Sequence, residues 1–86
     1  MKIVAVCGSG LGSSFIVEMN IKEVCKSINL NADVSHISVD SFNPIGVDLV
    51  VCGADIADSL NFENKIVLVN LMDKKLLKEK LQKFGG

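Results

Sequence analysis

Cys7 closes a short apolar run and is followed by Gly8-Ser9-Gly10-Leu11-Gly12-Ser13-Ser14. Glycines at alternate positions let a chain turn tightly and let successive N–H groups converge on one point, free of Cβ obstruction. A helix starting near Ser13 adds its unpaired first-turn N–H groups and the positive end of its dipole. Residues of these types in this order make an anion cradle sized for a phosphoryl group, supplied by Gly8, Ser9, Gly10, Leu11, Gly12 and Ser13. The Cys7 sulfur falls at the lip of that cradle, where the same field favours thiolate over thiol. A thiolate above an oxyanion cradle is a nucleophile for phosphorus. The plain alternative is a small apolar residue ending a strand, because unreactive buried cysteines are common.

The basic residues narrow the chemistry. All nine are lysines, at 2, 22, 26, 65, 74, 75, 78, 80 and 83, so no guanidinium is present to clamp a phosphate or carboxylate through two parallel bonds. A cysteine phosphatase needs an arginine where this chain has Ser13, and that reading fails. A phosphoryl carrier has the opposite requirement: it holds phosphate on sulfur briefly and passes it on without admitting water. Neutral amide and hydroxyl donors suit that task, since phosphoryl transfer depends mostly on positioning and electrostatics. A dinucleotide site would want glycine at Ser13, and 86 residues supply only part of such a domain.

A formal net charge of −1 and a sequence pI near 5.7 leave no basic nucleic-acid footprint. With four Phe and neither Tyr nor Trp, few rings remain to stack unpaired bases. The three cysteines, at 7, 25 and 52, form no CxxC pair, and a single histidine completes no metal-ligand pattern, so neither metal nor cofactor is expected. The apolar start runs straight into Gly8, unlike a secretory leader, and no apolar stretch approaches the roughly 20 residues that span a bilayer. A reduced, cytoplasmic domain is expected.

The remaining polar and apolar candidates read more plainly. Cys25 lies on a helix and reads as core. Cys52 ends the strand expected beside that of Cys7, and core packing is its better reading too. His36, near the end of the second strand, reads as an exposed or hydrogen-bonded ring rather than a catalyst. Asp40, Asp48, Asp55 and Asp58 show no paired acid–base spacing and read as caps and surface. Leu11, Phe15, Phe42 and Ile45 read as ordinary packing, since scattered apolar residues are normal; the other reading is an apolar rim beside the cradle and, where exposed, a docking surface. The final lysine-rich helix reads as a solvated face.

The elements that must position Cys7 follow from hydrophobic periodicity. Residues 2–7 form a continuous apolar run, expected of a strand covered on both faces. From Ser13 to Ile28 the apolar period lengthens, with Val17, Ile21, Val24 and Ile28 on one helical face and Glu18, Lys22, Glu23 and Lys26 largely opposite. Strands are expected at 33–38, 47–52 and 65–70, a loop with the only proline at 40–46, and a short helix at 54–61. A last helix at 73–84 starts at Asp73, turns Leu77, Leu81 and Phe84 inward, and ends at Gly85. The expected fold is α/β: a single domain at 1–86 with a four-stranded parallel sheet, order 2-1-3-4, flanked by helices, and a phosphate loop after strand 1. In such sheets ligands bind beyond the carboxyl ends of the strands at the switch point.

Cys7 to Ser14 after a short strand resembles the phosphorylation loop of IIB components of the bacterial phosphotransferase system (PTS). The likeness continues through Phe15-Ile16-Val17-Glu18-Met19, Asp48-Leu49-Val50-Val51 and Asn70-Leu71-Met72-Asp73, and it is most like the ascorbate type of the ascorbate/galactitol group. The loop is shared with mannitol- and galactitol-type IIB domains, whereas Asn70 to Asp73 points to the ascorbate type. The resemblance implies a phosphotransferase in which Cys7 accepts phosphate from a phosphohistidine on a IIA protein. Cys7 then donates it to a sugar or sugar acid as a IIC membrane permease moves that substrate, which would hold the chain at the inner face of the membrane. Gly8 to Ser13 are the implied phosphate-binding residues. The rival reading is a non-catalytic module of the same fold that binds phosphate or a nucleotide.

Overall fold

Successive side chains of a strand point to opposite faces of its sheet, so the unbroken run Ile3-Val4-Ala5-Val6 demands cover on both. The computed structural model, which describes residues 1–7, 13–70 and 72–85, meets that demand. It contains β1 (Lys2–Cys7), α1 (Ser13–Ser27), β2 (Asp33–Ser38), β3 (Leu49–Gly53), α2 (Ala54–Ala57), β4 (Lys65–Leu68) and α3 (Lys74–Gly85). The strands form a parallel sheet in the order β2-β1-β3-β4, as expected, in one small α/β domain.

One face of the sheet, with Ile3, Ala5, Val34, Leu49, Val51, Ile66 and Leu68, packs on Val17, Ile21, Val24 and Cys25 of α1 and on Leu77 and Leu81 of α3. The other face, with Val4, Val6, Val50 and Cys52, packs on Ala57 and Leu60 of the α2 segment. Both cysteines read as core are therefore core, and burial pushes the Cys25 thiol above its ordinary value.

Local signals set the element ends. Asn29 adopts a left-handed φ of 56°, and Leu30 N donates to Cys25 O at 2.8 Å while Asn29 N donates to Lys26 O at 3.3 Å. This pair of bonds is a Schellman closure of α1. Asp73 Oδ1 accepts from Leu76 N at 3.1 Å, so the residue expected to begin the last helix is its N-cap. Gly46, at φ 80°, takes the third place of the turn closed by Val47 N donating to Pro44 O, where a positive φ favours glycine.

Several sequence expectations change. The fourth strand, expected at 65–70, ends at Leu68. The third strand begins at Leu49 rather than residue 47, because Asp48 Oδ2 accepts from Lys2 N at 2.7 Å while Asp48 N donates to Lys2 O at 2.9 Å. The helix expected at 54–61 spans only Ala54–Ala57, and its end is held by Lys65 Nζ, which donates to Ala57 O and Leu60 O, both at 2.9 Å. Phe84, read as inward, is 40% exposed. It lies beside Leu49 and Lys65, the first residues of β3 and β4, where the helix runs out past the sheet.

Leu81 and Phe84 therefore separate in a stability test. Leu81→Ala should cost about 2–5 kcal/mol in urea unfolding, the usual loss for a fully buried leucine, and Phe84→Ala less than about half of that.

Candidate functional site

Parallel strands place all their carboxyl ends on one edge, and β1 lies inside the sheet with a neighbour on each side. Cys7 is the last residue of β1, in register with Ser38, the last residue of β2. Next to it on β1, Val6 is in register with Cys52. α1 opens at Ser13, so the chain passes from the carboxyl edge of the central strand to a helix N-terminus within a few residues. Gly8, Ser9, Gly10, Leu11 and Gly12 lie outside the described residues, as does Leu71.

The first turn of α1 carries no acidic residue, so its positive end is not neutralised from within. The first carboxylate along the helix is Glu18, and two partners hold it. His36 Nδ1 donates to Glu18 Oε1 at 2.7 Å, and Lys22 Nζ reaches Glu18 Oε2 at 3.0 Å. Hydrogen bonding from His36 and the nearby Lys22 ammonium draw the Glu18 carboxyl below its ordinary value, against the opposing effect of burial. Glu18 was expected on the solvent side of the helix, yet its side chain is only 12% exposed. Phe15 meets the His36 ring edge-on at a centroid distance of 6.1 Å. His36 is thus a hydrogen-bonded ring that ties β2 to α1.

The four apolar candidates divide. Phe15 is 53% exposed at the start of α1. Phe42 is packed, edge-on against Phe62 at 5.8 Å in the cluster on the α2 side. Ile45 is exposed but lines a cavity with Lys2 and Val47, towards the amino end of β1, because the 40–47 segment returns along the sheet to start β3.

Sequence reasoning missed what does lie at the carboxyl edge. Gly53, Ala54, Asp55, Val69, Asn70 and Met72 line an open cavity of about 590 Å³ beyond β3 and β4. Val69 and Met72 are exposed there, and Ile16 and Met19 are exposed on α1. Buried Asn20 donates Nδ2 to Met72 Sδ at 3.6 Å, joining α1 to the turn before α3. Asn70 Oδ1 accepts from Met72 N at 3.0 Å, which shapes that turn. The advance signal was the likeness of Asn70 to Asp73 to the ascorbate type, in which Asn70 and Asp73 are residue types that favour turns. Among the described residues no group of three His, Cys, Asp or Glu side chains could hold a metal ion, and no helix is long and apolar enough to cross a membrane.

The lowered Glu18 carboxyl has a definite sign in stability. Its contribution is complete above the ordinary value of 4.5 and disappears as pH falls through the lower folded value. Urea melts should show wild type more stable than Glu18→Gln by about 1 kcal/mol near neutral pH, with the gap closing in acid. A gap independent of pH would show that the charge of Glu18 is not what the bond depends on.

Comparison with known proteins identifies the family. The family described as PTS system, lactose/cellobiose specific IIB subunit, matches residues 2–83. The ascorbate-specific PTS system EIIB component of Mycoplasma pneumoniae is 25% identical over 88 residues, covering 96% of this chain and 93% of that protein. The proteins of the same name from Salmonella choleraesuis and Escherichia coli O157:H7 are each 30% identical over 71 residues, covering 79% of this chain and 70% of theirs. With a match along nearly its whole length and a carboxyl edge built around the end of β1, the chain belongs to the PTS IIB family and is a IIB component of a sugar phosphotransferase system.

Proposed function

We propose that residues 1–86 act as one cytoplasmic IIB domain that carries a phosphoryl group on Cys7. The observation that carries the proposal is the position of Cys7 as the last residue of an internal parallel strand, followed within a few residues by the N-terminus of α1, in a chain that belongs to the PTS IIB family.

The donor is a phosphohistidine on a IIA protein. The Cys7 thiolate attacks phosphorus, the S–P bond forms, the P–N bond breaks, and the donor imidazole leaves with the electron pair. In the second step a substrate hydroxyl oxygen attacks the same phosphorus, the S–P bond breaks, and the thiolate is regenerated. The hydroxyl proton passes to a base or to water on the acceptor side, at a IIC membrane permease. Gly8, Ser9, Gly10, Leu11, Gly12 and Ser13 donate to the phosphoryl oxygens, and the positive end of α1 adds its field. The absence of arginine suits a carrier, since a fixed guanidinium would hold the group that must leave. Because the similar proteins are ascorbate-specific, the acceptor proposed is a sugar acid of that kind.

The test is intact-mass analysis after incubation with phosphoenolpyruvate, the general PTS proteins and a cognate IIA. Wild type should gain one phosphate, and Cys7→Ser should gain none. No gain on wild type beside a phosphorylated IIA would overturn the proposal. Phosphate binding kept in Cys7→Ser, without transfer by wild type, would indicate a binding module instead.

A further inference from the structure

The charge of this chain is unevenly placed. α3 carries five lysines, at 74, 75, 78, 80 and 83, against the single carboxylate of Glu79, a net of +4. The other residues carry four lysines against nine Asp and Glu, a net of −5, although the whole chain is near neutral. Lys74 pairs with Glu23 at 2.6 Å, and Lys80 donates to Val67 O at 3.5 Å. Lys75, Lys78 and Lys83 are exposed with no ion pair among the described residues, and so is Lys26 on the adjoining α1.

We propose that the lysine face of α3 rests on an anionic phospholipid surface and holds the protein reversibly at the membrane. Two features select this occupant. Lysines placed as separate point charges suit a diffuse layer of headgroups, whereas protein interfaces favour arginine and are depleted in lysine. Nucleic acid would call for a basic domain with stacking rings, and this chain is acidic overall with no Tyr or Trp. The acidic remainder of the chain is repelled by the same surface, so the charge asymmetry fixes which side faces it. α3 packs on the face of the sheet, so this contact leaves the carboxyl edge open to partners. The inference concerns binding alone and stands apart from transfer at Cys7.

Co-sedimentation of the full chain with vesicles tests it. Partition onto phosphatidylglycerol/phosphatidylcholine vesicles should exceed that onto phosphatidylcholine alone by at least about tenfold at low salt, and should collapse at high salt. The exposed-site variant Lys75→Gln/Lys78→Gln/Lys83→Gln should lose at least about tenfold. A control with the same change in net charge elsewhere, Ser41→Glu/Ser59→Glu/Asn61→Glu, should bind within about threefold of wild type. The proposal is overturned if wild type stays in the supernatant, or if the control loses as much as the lysine variant. Salt-sensitive self-association without lipid that the lysine variant abolishes would assign the face to a second copy. Slower phosphorylation of the lysine variant by IIA would assign it to the donor, and tighter binding to RNA than to vesicles would assign it to nucleic acid.

Discussion

Burial of β1 on both faces and both edges is the constraint on which the rest of the structure depends. Ile3, Val4, Ala5 and Val6 are all buried, with β2 hydrogen-bonded on one side and β3 on the other. A register slip by one residue would exchange the side chains that meet α1 and α3 with those that meet α2. The slip is opposed at the amino end by the two bonds between Lys2 and Asp48. A central strand held in this way ends at a fixed place, and that place is Cys7.

Electrostatics at the carboxyl edge follow from the same arrangement. Because α1 packs on the face of the sheet that holds Ala5 and Val34, its first turns pass over β2, and Glu18 meets His36. That contact and Lys22 compensate the first carboxylate beyond the helix N-terminus. The helix dipole thus remains available to an anion, since the first turn of α1 carries no acidic residue. Asn20 and Met72 extend the connection to the turn before α3, so one helix fixes both flanks of the edge.

Much of this was legible in the sequence, and the exceptions have physical causes. β1 and β2 were readable to the residue because one is a continuous apolar run and the other is bounded by polar turns. The sheet order followed from alternating strands and helices in a short chain. Phe84 misled because it continues the face of Leu77 and Leu81, and periodicity does not record where a sheet stops underneath a helix. Ile45 misled for a related reason: an apolar residue in a loop has no period, and the return path to β3 decides which edge it reaches. Lys65 and the Glu18–His36 pair were invisible, since a lysine that caps a helix and a carboxylate that meets a histidine 18 residues away look like ordinary surface charges. The segment from Gly8 to Gly12 was the clearest chemical signal in the sequence, and its role rests on that pattern and on the elements at its two ends.

Lysine without arginine has different consequences at the two ends of this small domain. A carrier's anion site must release what it binds, and amide and hydroxyl donors release a phosphoryl group more readily than a bidentate cation would. Cations are then left to other work and collect on α3, well away in sequence from Cys7. Lys65 shows what a lysine does when drawn inward: its ammonium donates to the carbonyls of Ala57, at the end of α2, and of Leu60 just beyond it. Those on the outer face of α3 have no such partners, so their field reaches solvent. In the proposed carrier, a phosphate cradle without a fixed cation and a cationic outer face divide the two tasks of brief phosphate binding and broad attraction of anions within one chain.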